Sequence, residues 1–313
     1  MVSPLSKCLL LPIDGTKEAL GSVEFLARLY TDRTQVSLIL SYFAPPLPPA
    51  YQGKPASPQS AKKRQEILQS RDNNIRSALD QAKKILGAAG FPSRNIQEHI
   101  QERQGSNAKD ACLLADRKKV DAVLVQKRVT SALEGFLRDD STHSLLNQCT
   151  TNPVWVMDGT VDPSHAAICV TDESASLRAA DHAAFMLSGT GARVTLLHAS
   201  RNAHQRASST ASLIRADLEK WLMIPDGRRM KPYFMECQGI LNREGISDER
   251  IEITVLPSHG NVASEILSHC REAGIGIVVL GHSRPKGLRE LLKGSVTKKT
   301  VEDLKDMAVW VSQ

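Results

Sequence analysis

The residues with the clearest chemical potential form a short stretch near the C-terminus. The apolar run 277–280 ends at Gly281, a basic stretch containing Arg284 follows, and Gly294 and Ser295 precede a segment with helical character. Glycine lets the backbone turn sharply and approach a ligand, and the free N–H groups at a helix N-terminus suit a phosphate. The Ser295 hydroxyl either caps that helix or contacts the phosphate. The stretch therefore predicts a phosphate-binding loop, with a plain turn between a strand and a helix as the alternative.

Strand and helix patterns alternate around this loop in the second half of the chain. A helical segment before the loop places Ala263, Ile266, Leu267 and Cys270 at intervals that build one apolar face. Such alternation predicts a parallel sheet covered by helices on both faces. In these sheets ligands bind beyond the carboxyl ends of strands, where the strand order reverses. The apolar runs that predict strands are 167–171, 193–199, 250–256, 275–280 and 308–312.

The chain also repeats itself, which indicates two copies of one domain. The aligned pairs of segments are 105–112 with 260–267, 120–126 with 275–281 and 152–157 with 307–312, at an offset of 155, and 11–19 with 169–177, at an offset of 158. We therefore expect one domain over 1–158 and a second over 165–313, joined by a segment of linker composition. Trp155 and Trp310 occupy equivalent places in the two closing strands.

Together these features resemble the universal stress protein family in its tandem form. Nucleotide-binding members carry Gly-x2-Gly-x9-Gly-Ser/Thr after the fourth strand, and this chain has Gly281, Arg284, Gly294 and Ser295 at that spacing. Members also place an aspartate after the first strand, as at Asp172. The resemblance implies two tandem Rossmann-like α/β domains, each with a five-stranded parallel sheet flanked by helices. It further implies that the closing strands of the two domains pair as a pseudo-dimer.

The same resemblance implies an adenine nucleotide, ATP with Mg²⁺, in the second domain. Arg284 departs from the family pattern, because nucleotide binders have glycine there so that phosphates approach the backbone. The arginine either closes the pocket or clamps the phosphates. The residues implied to contact the nucleotide are Asp172, Ala199, Leu280, Gly281, Arg284, Gly294, Ser295 and Val296.

The first copy has lost this loop. Gln126 stands opposite Gly281, and Asp139 and Asp140 stand opposite Gly294 and Ser295, where two carboxylates would repel a phosphate. The first domain is therefore predicted to be degenerate and structural. Its Asp14 is then a helix-start residue, with Thr16 helping to cap that helix.

Composition restricts the classes of function. Of 313 residues 41% are hydrophobic, the net charge is +6, and no run approaches the length of a membrane span. Nucleic acid is therefore not an expected partner. The six cysteines form no CxxC pair, so neither a metal site nor a redox motif is expected. We therefore expect a cytoplasmic protein whose cysteines are reduced thiols. Cys112 and Cys270 are predicted to be buried small hydrophobic residues.

No nucleophile, base and orienting group can be assembled from the sequence, so catalysis is not expected. We expect a regulatory or protective factor in a stress response, with protein partners and with homodimerisation open. One alternative is an interaction scaffold that binds no nucleotide. Another is an ATP-hydrolysing enzyme of the related alpha-hydrolase group.

Three further segments lead to predictions about structure. Residues 61–86 predict an amphipathic helix that buries Leu68, Ile75, Leu79, Ala82 and Leu86. Residues 226–237 interrupt the helical pattern of the second half and are expected to be a less ordered insertion. The prolines of 43–60 predict a stiff exposed loop.

Overall fold

The computed structural model describes residues 6–127, 146, 148–205, 215–282 and 296–313. The chain divides into two compact units. One comprises residues up to Ala27 together with Arg33–Cys149, and the other comprises Arg28–Asp32 together with Thr150–Gln313.

The described part of the first unit is a parallel sheet with helices. The strands pair in the order β3-β2-β1-β4, and every pair is parallel. The chain therefore enters the sheet at β1, moves outward through β2 and β3, and returns to the other side of β1 with β4. The elements are β1 (Lys7–Pro12), α1 (Lys17–Leu29), β2 (Val36–Ala44), α2 (Pro58–Ala88), β3 (Ile96–Glu102), α3 (Asn107–Lys118) and β4 (Ala122–Gln126).

Helix α2 shows how sequence sets an element in this unit. The Ser57 hydroxyl accepts from the Ser60 backbone N–H at 3.2 Å, and the Ser60 hydroxyl accepts from that of Ser57 at 3.0 Å. This reciprocal cap, with Pro58 in the first turn, starts the helix. Its buried residues are Ile75, Ala78, Leu79, Ala82 and Leu86, so the predicted helix is confirmed, although Leu68 is only half-buried.

Among the described residues, no helix combines the length and apolar character needed to cross a membrane.

The second unit contains the closing strands of both repeats. Its strands lie in the order β5-β10-β9-β6-β7-β8, in which β5 and β10 are antiparallel and all other neighbours are parallel. The strands are β5 (Val154–Met157), β6 (His165–Cys169), β7 (Arg193–Ser200), β8 (Ile251–Pro257), β9 (Ile277–Gly281) and β10 (Ala308–Ser312). The helices are α4 (Ser174–Leu187), α5 (Arg215–Leu222), α6 (Pro225–Arg243), α7 (Val262–Glu272) and α8 (Val296–Glu302).

The repeat seen in the sequence is present in the fold. Strands β4 and β9 begin 155 residues apart, as do helices α3 and α7. The two closing strands pair with each other, with Trp155 directly opposite Trp310. The predicted α/β fold, with parallel strands in each copy and paired closing strands, is therefore confirmed.

The paired closing strands are held by stacked indoles. The rings of Trp155 and Trp310 are parallel within 2°, with centroids 3.7 Å apart, and both residues are fully buried. His182 in α4 packs edge-on against both rings, and its Nε2 accepts from the Trp155 indole N–H at 2.9 Å. The antiparallel pair is thus covered by an aromatic cluster whose polar edge is partly satisfied by a histidine.

The expectation of an irregular segment at 226–237 is wrong, because these residues lie inside helix α6. Pro225 occupies the first turn, where its missing N–H has no cost. Met230, Phe234, Cys237 and Leu241 follow at intervals of four, three and four, and all are buried. This apolar stripe outweighs Pro232, which lies on the exposed side of the helix.

The expectation that all six thiols are reduced is also wrong. Cys112 in α3 is bonded to Cys149, with Cα atoms 5.0 Å apart. Cys112 is buried, as predicted, but as half of a disulfide. The prediction for Cys270 is confirmed, since it is a buried free thiol.

Candidate functional site

The carboxyl ends of β9, β6 and β7 form the candidate site in the second unit. From β6 the chain moves outward through β7 and β8, and then returns to the opposite side of β6 with β9. The strand order therefore reverses between β6 and β9, which is where open α/β sheets bind ligands. Gly281 closes β9, and Asp172 follows β6 by three residues. The two residues singled out by the sequence thus lie on either side of the reversal.

The other predicted contact residues fall into three groups. Ala199 lies near the end of β7 and is half-buried, while Leu280 in β9 is buried. Val296 begins α8 and is 40% exposed. Arg284, Gly294 and Ser295 lie outside the described residues, as do Asp139 and Asp140 of the first copy.

Gly281 is required by packing as well as by any ligand. A Cβ at this position would overlap the backbone carbonyl oxygen of Ala175, in the first turn of α4. Glycine therefore lets α4 approach the end of β9. This close approach accounts for Gly281 without a nucleotide, so the residue alone does not identify a binding site.

Asp172 is engaged by an arginine that the sequence analysis did not single out. The Arg229 Nε lies 3.1 Å from Asp172 Oδ2, and its Nη2 lies 2.7 Å from Asp226 Oδ1. Asp226 is nearly buried, and its Oδ2 accepts from the Ser200 hydroxyl at 2.5 Å. One guanidinium therefore bridges the carboxylate of Asp172, after β6, and that of Asp226, which is bonded to the last residue of β7.

The corner between α5 and α6 brings Asp226 and Arg229 to this position. Gly227 makes the corner possible, because a Cβ there would overlap the Trp221 carbonyl oxygen. Asp226 lies in the first turn of α6, where a carboxylate is favoured by the helix dipole. The signal in the sequence was a Pro-Asp-Gly start to an apolar helical stripe, followed within one turn by Arg229.

His198 lies one residue before Ala199 and holds the end of β7 in place. Its Nδ1 donates to the Val170 carbonyl at 2.8 Å. Trp221 and Phe234 pack around the ring, with centroids 5.7 and 6.3 Å away. Burial lowers the pKa of His198, which keeps the ring neutral. The residue therefore fixes the end of β7 against β6.

Arg178 in α4 fixes the chain just after Gly281. Its Nη2 donates to the His282 carbonyl at 3.2 Å, and its Nε donates to the Gln313 carbonyl at 3.1 Å. His282 is buried, and its backbone N–H donates to the Ser312 carbonyl at 2.8 Å. These hydrogen bonds therefore fix the backbone of His282, immediately after β9.

The model of one known protein family matches both halves of the chain. The model of the universal stress protein family matches residues 6–157 and again residues 164–307. The chain belongs to the universal stress protein family. Its two domains are therefore two universal stress protein domains in tandem.

Two solved structures share the fold over nearly the whole chain, and one curated relative matches a single domain's length of it. A universal stress protein from Archaeoglobus fulgidus superimposes with a TM-score of 0.60 at 14% identity, over 99% of this chain and 97% of the other. A functionally unknown protein from Pseudomonas aeruginosa PAO1 gives 0.55 at 14% identity, over 98% and 92%. The universal stress protein YxiE of Bacillus subtilis (strain 168) is 22% identical over 142 residues, which cover 42% of this chain and 87% of that protein. At these identities the likeness establishes the fold.

The first universal stress protein domain has different residues at the equivalent place. Gln126 ends β4, and its amide lies so close to α1 that a Cβ on Gly21 would be 2.8 Å from its Oε1. Asp14 accepts from the Thr16 backbone N–H at 3.0 Å and from its hydroxyl at 2.7 Å. The Thr16 hydroxyl then accepts from the Ala19 N–H at 3.3 Å. Asp14 and Thr16 thus start helix α1, as predicted.

The described residues contain no cluster of metal-binding side chains. Within them, no three His, Cys, Asp or Glu side chains lie together as a metal site. Asp172 and Asp226 are both engaged by Arg229, which supplies the positive charge at this edge of the sheet.

Proposed function

We propose that the second domain binds an adenine nucleotide, ATP with Mg²⁺, and that the protein acts as a regulatory or protective factor in a stress response. The observation that carries this proposal is the placement of Asp172, Ala199 and Gly281 at the carboxyl ends of three neighbouring strands. They flank the reversal in strand order, where such folds bind ligands.

The exposure of Asp172 supports this ligand. The Asp172 side chain is 45% exposed, so its carboxylate is accessible to a ribose or adenine donor. The sequence places Arg284, Gly294 and Ser295 in the loop between Gly281 and Val296. Of the two roles that the sequence leaves open for Arg284, closing the pocket or clamping the phosphates, the proposal requires the clamp, with the Ser295 hydroxyl as a further phosphate contact. The bound Mg²⁺ would neutralise phosphate charge.

Gly294→Asp is expected to weaken ATP binding at least tenfold. The substitution introduces the residue that the first domain carries there, and a carboxylate beside the phosphates repels them. Calorimetric titration with ATP and Mg²⁺ measures the affinity, and native mass spectrometry measures the stoichiometry, expected at one nucleotide per chain. Gly191→Asp is the matched control, since Gly191 precedes β7 at the opposite end of the sheet and a Cβ there meets nothing within 4 Å. Equal binding by wild type and Gly294→Asp would contradict the proposed site.

A second candidate function is an interaction scaffold that binds no nucleotide. The observation that favours it is the ion pair between Arg229 and Asp172, which already engages the carboxylate expected to contact the ligand. The lost glycines of the first domain point the same way. In that case the exposed surfaces of the two domains would recruit protein partners.

Arg229→Gln is expected to raise ATP affinity by up to about fivefold, because an exposed ion pair that the ligand must displace contributes about 0.2–1 kcal/mol. Titration of both proteins with ATP measures the change. Arg228→Gln, one residue earlier on an exposed position of α6, removes the same charge and is expected to leave affinity unchanged. A loss of affinity in Arg229→Gln would instead assign Arg229 to the phosphates. Absence of binding in wild type and in Arg229→Gln would favour the scaffold.

The proposal concerns binding rather than catalysis. Hydrolysis of ATP, if measured, would be a slow by-product of binding, whereas product formation at a defined acceptor would favour the alpha-hydrolase alternative. We propose the cytoplasm as the compartment, with protein partners and a homodimer as further proposals for the same protein.

A further inference from the structure

The disulfide in the first unit is the feature that the proposed function leaves unused. Cys112 is 4% exposed and Cys149 is 1% exposed. They are 37 residues apart in sequence, and the bond joins the middle of α3 to the last residue of the first unit. The bond therefore fixes the point at which the chain leaves that unit.

The second copy shows what this position contains without cysteine. At the offset of 155, the counterparts of Cys112 and Cys149 are Leu267 and Leu304. Both leucines are buried, at 1% and 2% exposure. The fold thus accepts an apolar pair at these positions, and the disulfide is a property of the first copy.

The other four cysteines are free thiols in the structure. Cys237 and Cys270 are buried, and burial raises the pKa of each thiol to about 12. Burial also raises the pKa of Cys169 and of Cys8. Geometry distinguishes Cys112 and Cys149 from these four, because their Cα atoms lie 5.0 Å apart, within the range that a disulfide bridges.

Both bonded cysteines are buried, and they differ in their backbone context. Cys149 itself is buried, but Gln148 and Thr150 on either side of it are exposed. A local opening of this end of the first unit would expose the Cys149 sulfur, whereas Cys112 lies within a helix. Exchange at Cys149 is therefore expected to come first and to be slow.

We propose that Cys112 and Cys149 form an oxidation-dependent clasp that stabilises the first domain when the thiol pool becomes oxidised. In the cytoplasm, thiols are normally reduced, and disulfides there are usually transient or redox-sensing. The oxidant is a low-molecular-weight disulfide such as oxidised glutathione. The Cys149 thiolate attacks it, forms a mixed disulfide and releases one glutathione thiol. The Cys112 thiolate then attacks the Cys149 sulfur, forms the protein disulfide and releases the second glutathione thiol.

The clasp acts on stability because it restricts the unfolded chain. A bond that closes a 37-residue loop removes unfolded conformations. We expect the unfolding midpoint of the first domain to rise by about 8–15 °C on oxidation. This inference does not depend on nucleotide binding.

The experiment uses the full chain equilibrated with either reduced or oxidised glutathione. Alkylation in denaturant followed by peptide mass mapping counts the thiols, and thermal unfolding gives the midpoints. Oxidised wild type is expected to keep four alkylatable cysteines, to have Cys112 linked to Cys149, and to show the higher midpoint.

Two variants separate the clasp from general effects of oxidation. Cys112→Leu/Cys149→Leu, which copies the residues of the second domain, is expected to fold and to unfold at the same temperature under both conditions. Cys8→Ser/Cys169→Ser is expected to keep the wild-type shift. Six alkylatable cysteines in oxidised wild type, a different pairing, or a midpoint that does not respond to oxidation would each overturn the proposal.

Discussion

Trp155→Ala is expected to lower the free energy of unfolding of the second unit by about 3–5 kcal/mol, the range for truncating a buried large aromatic side chain. Trp155 is fully buried in β5 and stacks on Trp310 in β10. The substitution removes this stack and leaves the Nε2 of His182 without its donor. Urea unfolding followed by circular dichroism measures the change.

The two stacked indoles supply their own control. Trp155 donates to His182, whereas the Trp310 indole N–H is buried without a hydrogen-bond partner in the structure. Trp155→Phe and Trp310→Phe remove the same atoms, but only the first breaks a hydrogen bond. Trp155→Phe is therefore expected to cost about 1 kcal/mol more than Trp310→Phe. Equal costs would show that the bond to His182 contributes nothing, and a cost below about 1 kcal/mol for Trp155→Ala would contradict the packing argument as a whole.

The paired closing strands were predictable because the repeat places the same residue types at the same point twice. Trp155 and Trp310 fall at one offset, and apolar closing strands need a neighbouring strand. Pairing between two copies in one chain follows from that need. His182 was not predictable, because α4 had to be placed over the strands before its histidine could meet an indole.

The disulfide escaped sequence analysis for a similar reason. Cys112 and Cys149 are 37 residues apart and belong to no short motif. The offset of 155 held a usable signal, since it places both cysteines opposite leucines that a shared core would bury. The aligned segments 105–112 and 260–267 already place Cys112 opposite Leu267, but Cys149 and Leu304 lie outside every aligned segment.

The sequence predicted where the candidate site lies, but it did not predict all of the side-chain contacts in it. Strand alternation and the position of Gly281 located the carboxyl ends of the strands, because this relation is a property of the fold. Arg229 lies 57 residues after Asp172, as the numbering shows, and reaches it only through the corner at Gly227. A charge pair of this kind depends on the angle between α5 and α6, which sequence periodicity does not set.

The second large expected effect is a loss of folding stability at low pH. Burial lowers the pKa of His182 to about 3, well below the value of about 6.5 expected in an unfolded chain. Between these two values the unfolded chain binds a proton that the folded protein does not. The stability is therefore fully present above pH 6.5 and is lost as the pH falls, by up to about 1.4 kcal/mol per pH unit. Burial also lowers the pKa of His165, His198 and His269, which adds to the loss in the same direction.

His182→Gln tests the contribution of this one residue, because a glutamine amide oxygen can accept from the Trp155 indole without titrating. Free energies of unfolding from urea titrations between pH 7 and pH 4 give the slope with pH. We expect the slope of the variant to be smaller than that of wild type by up to about 1.4 kcal/mol per pH unit, which corresponds to one proton. His259→Gln, which removes an exposed histidine far from the indoles in sequence, is the control. If His182→Gln kept the full slope, the acid sensitivity would belong to the other buried histidines, and the ring of His182 would have to accept a proton in the folded protein while it stays against two indoles.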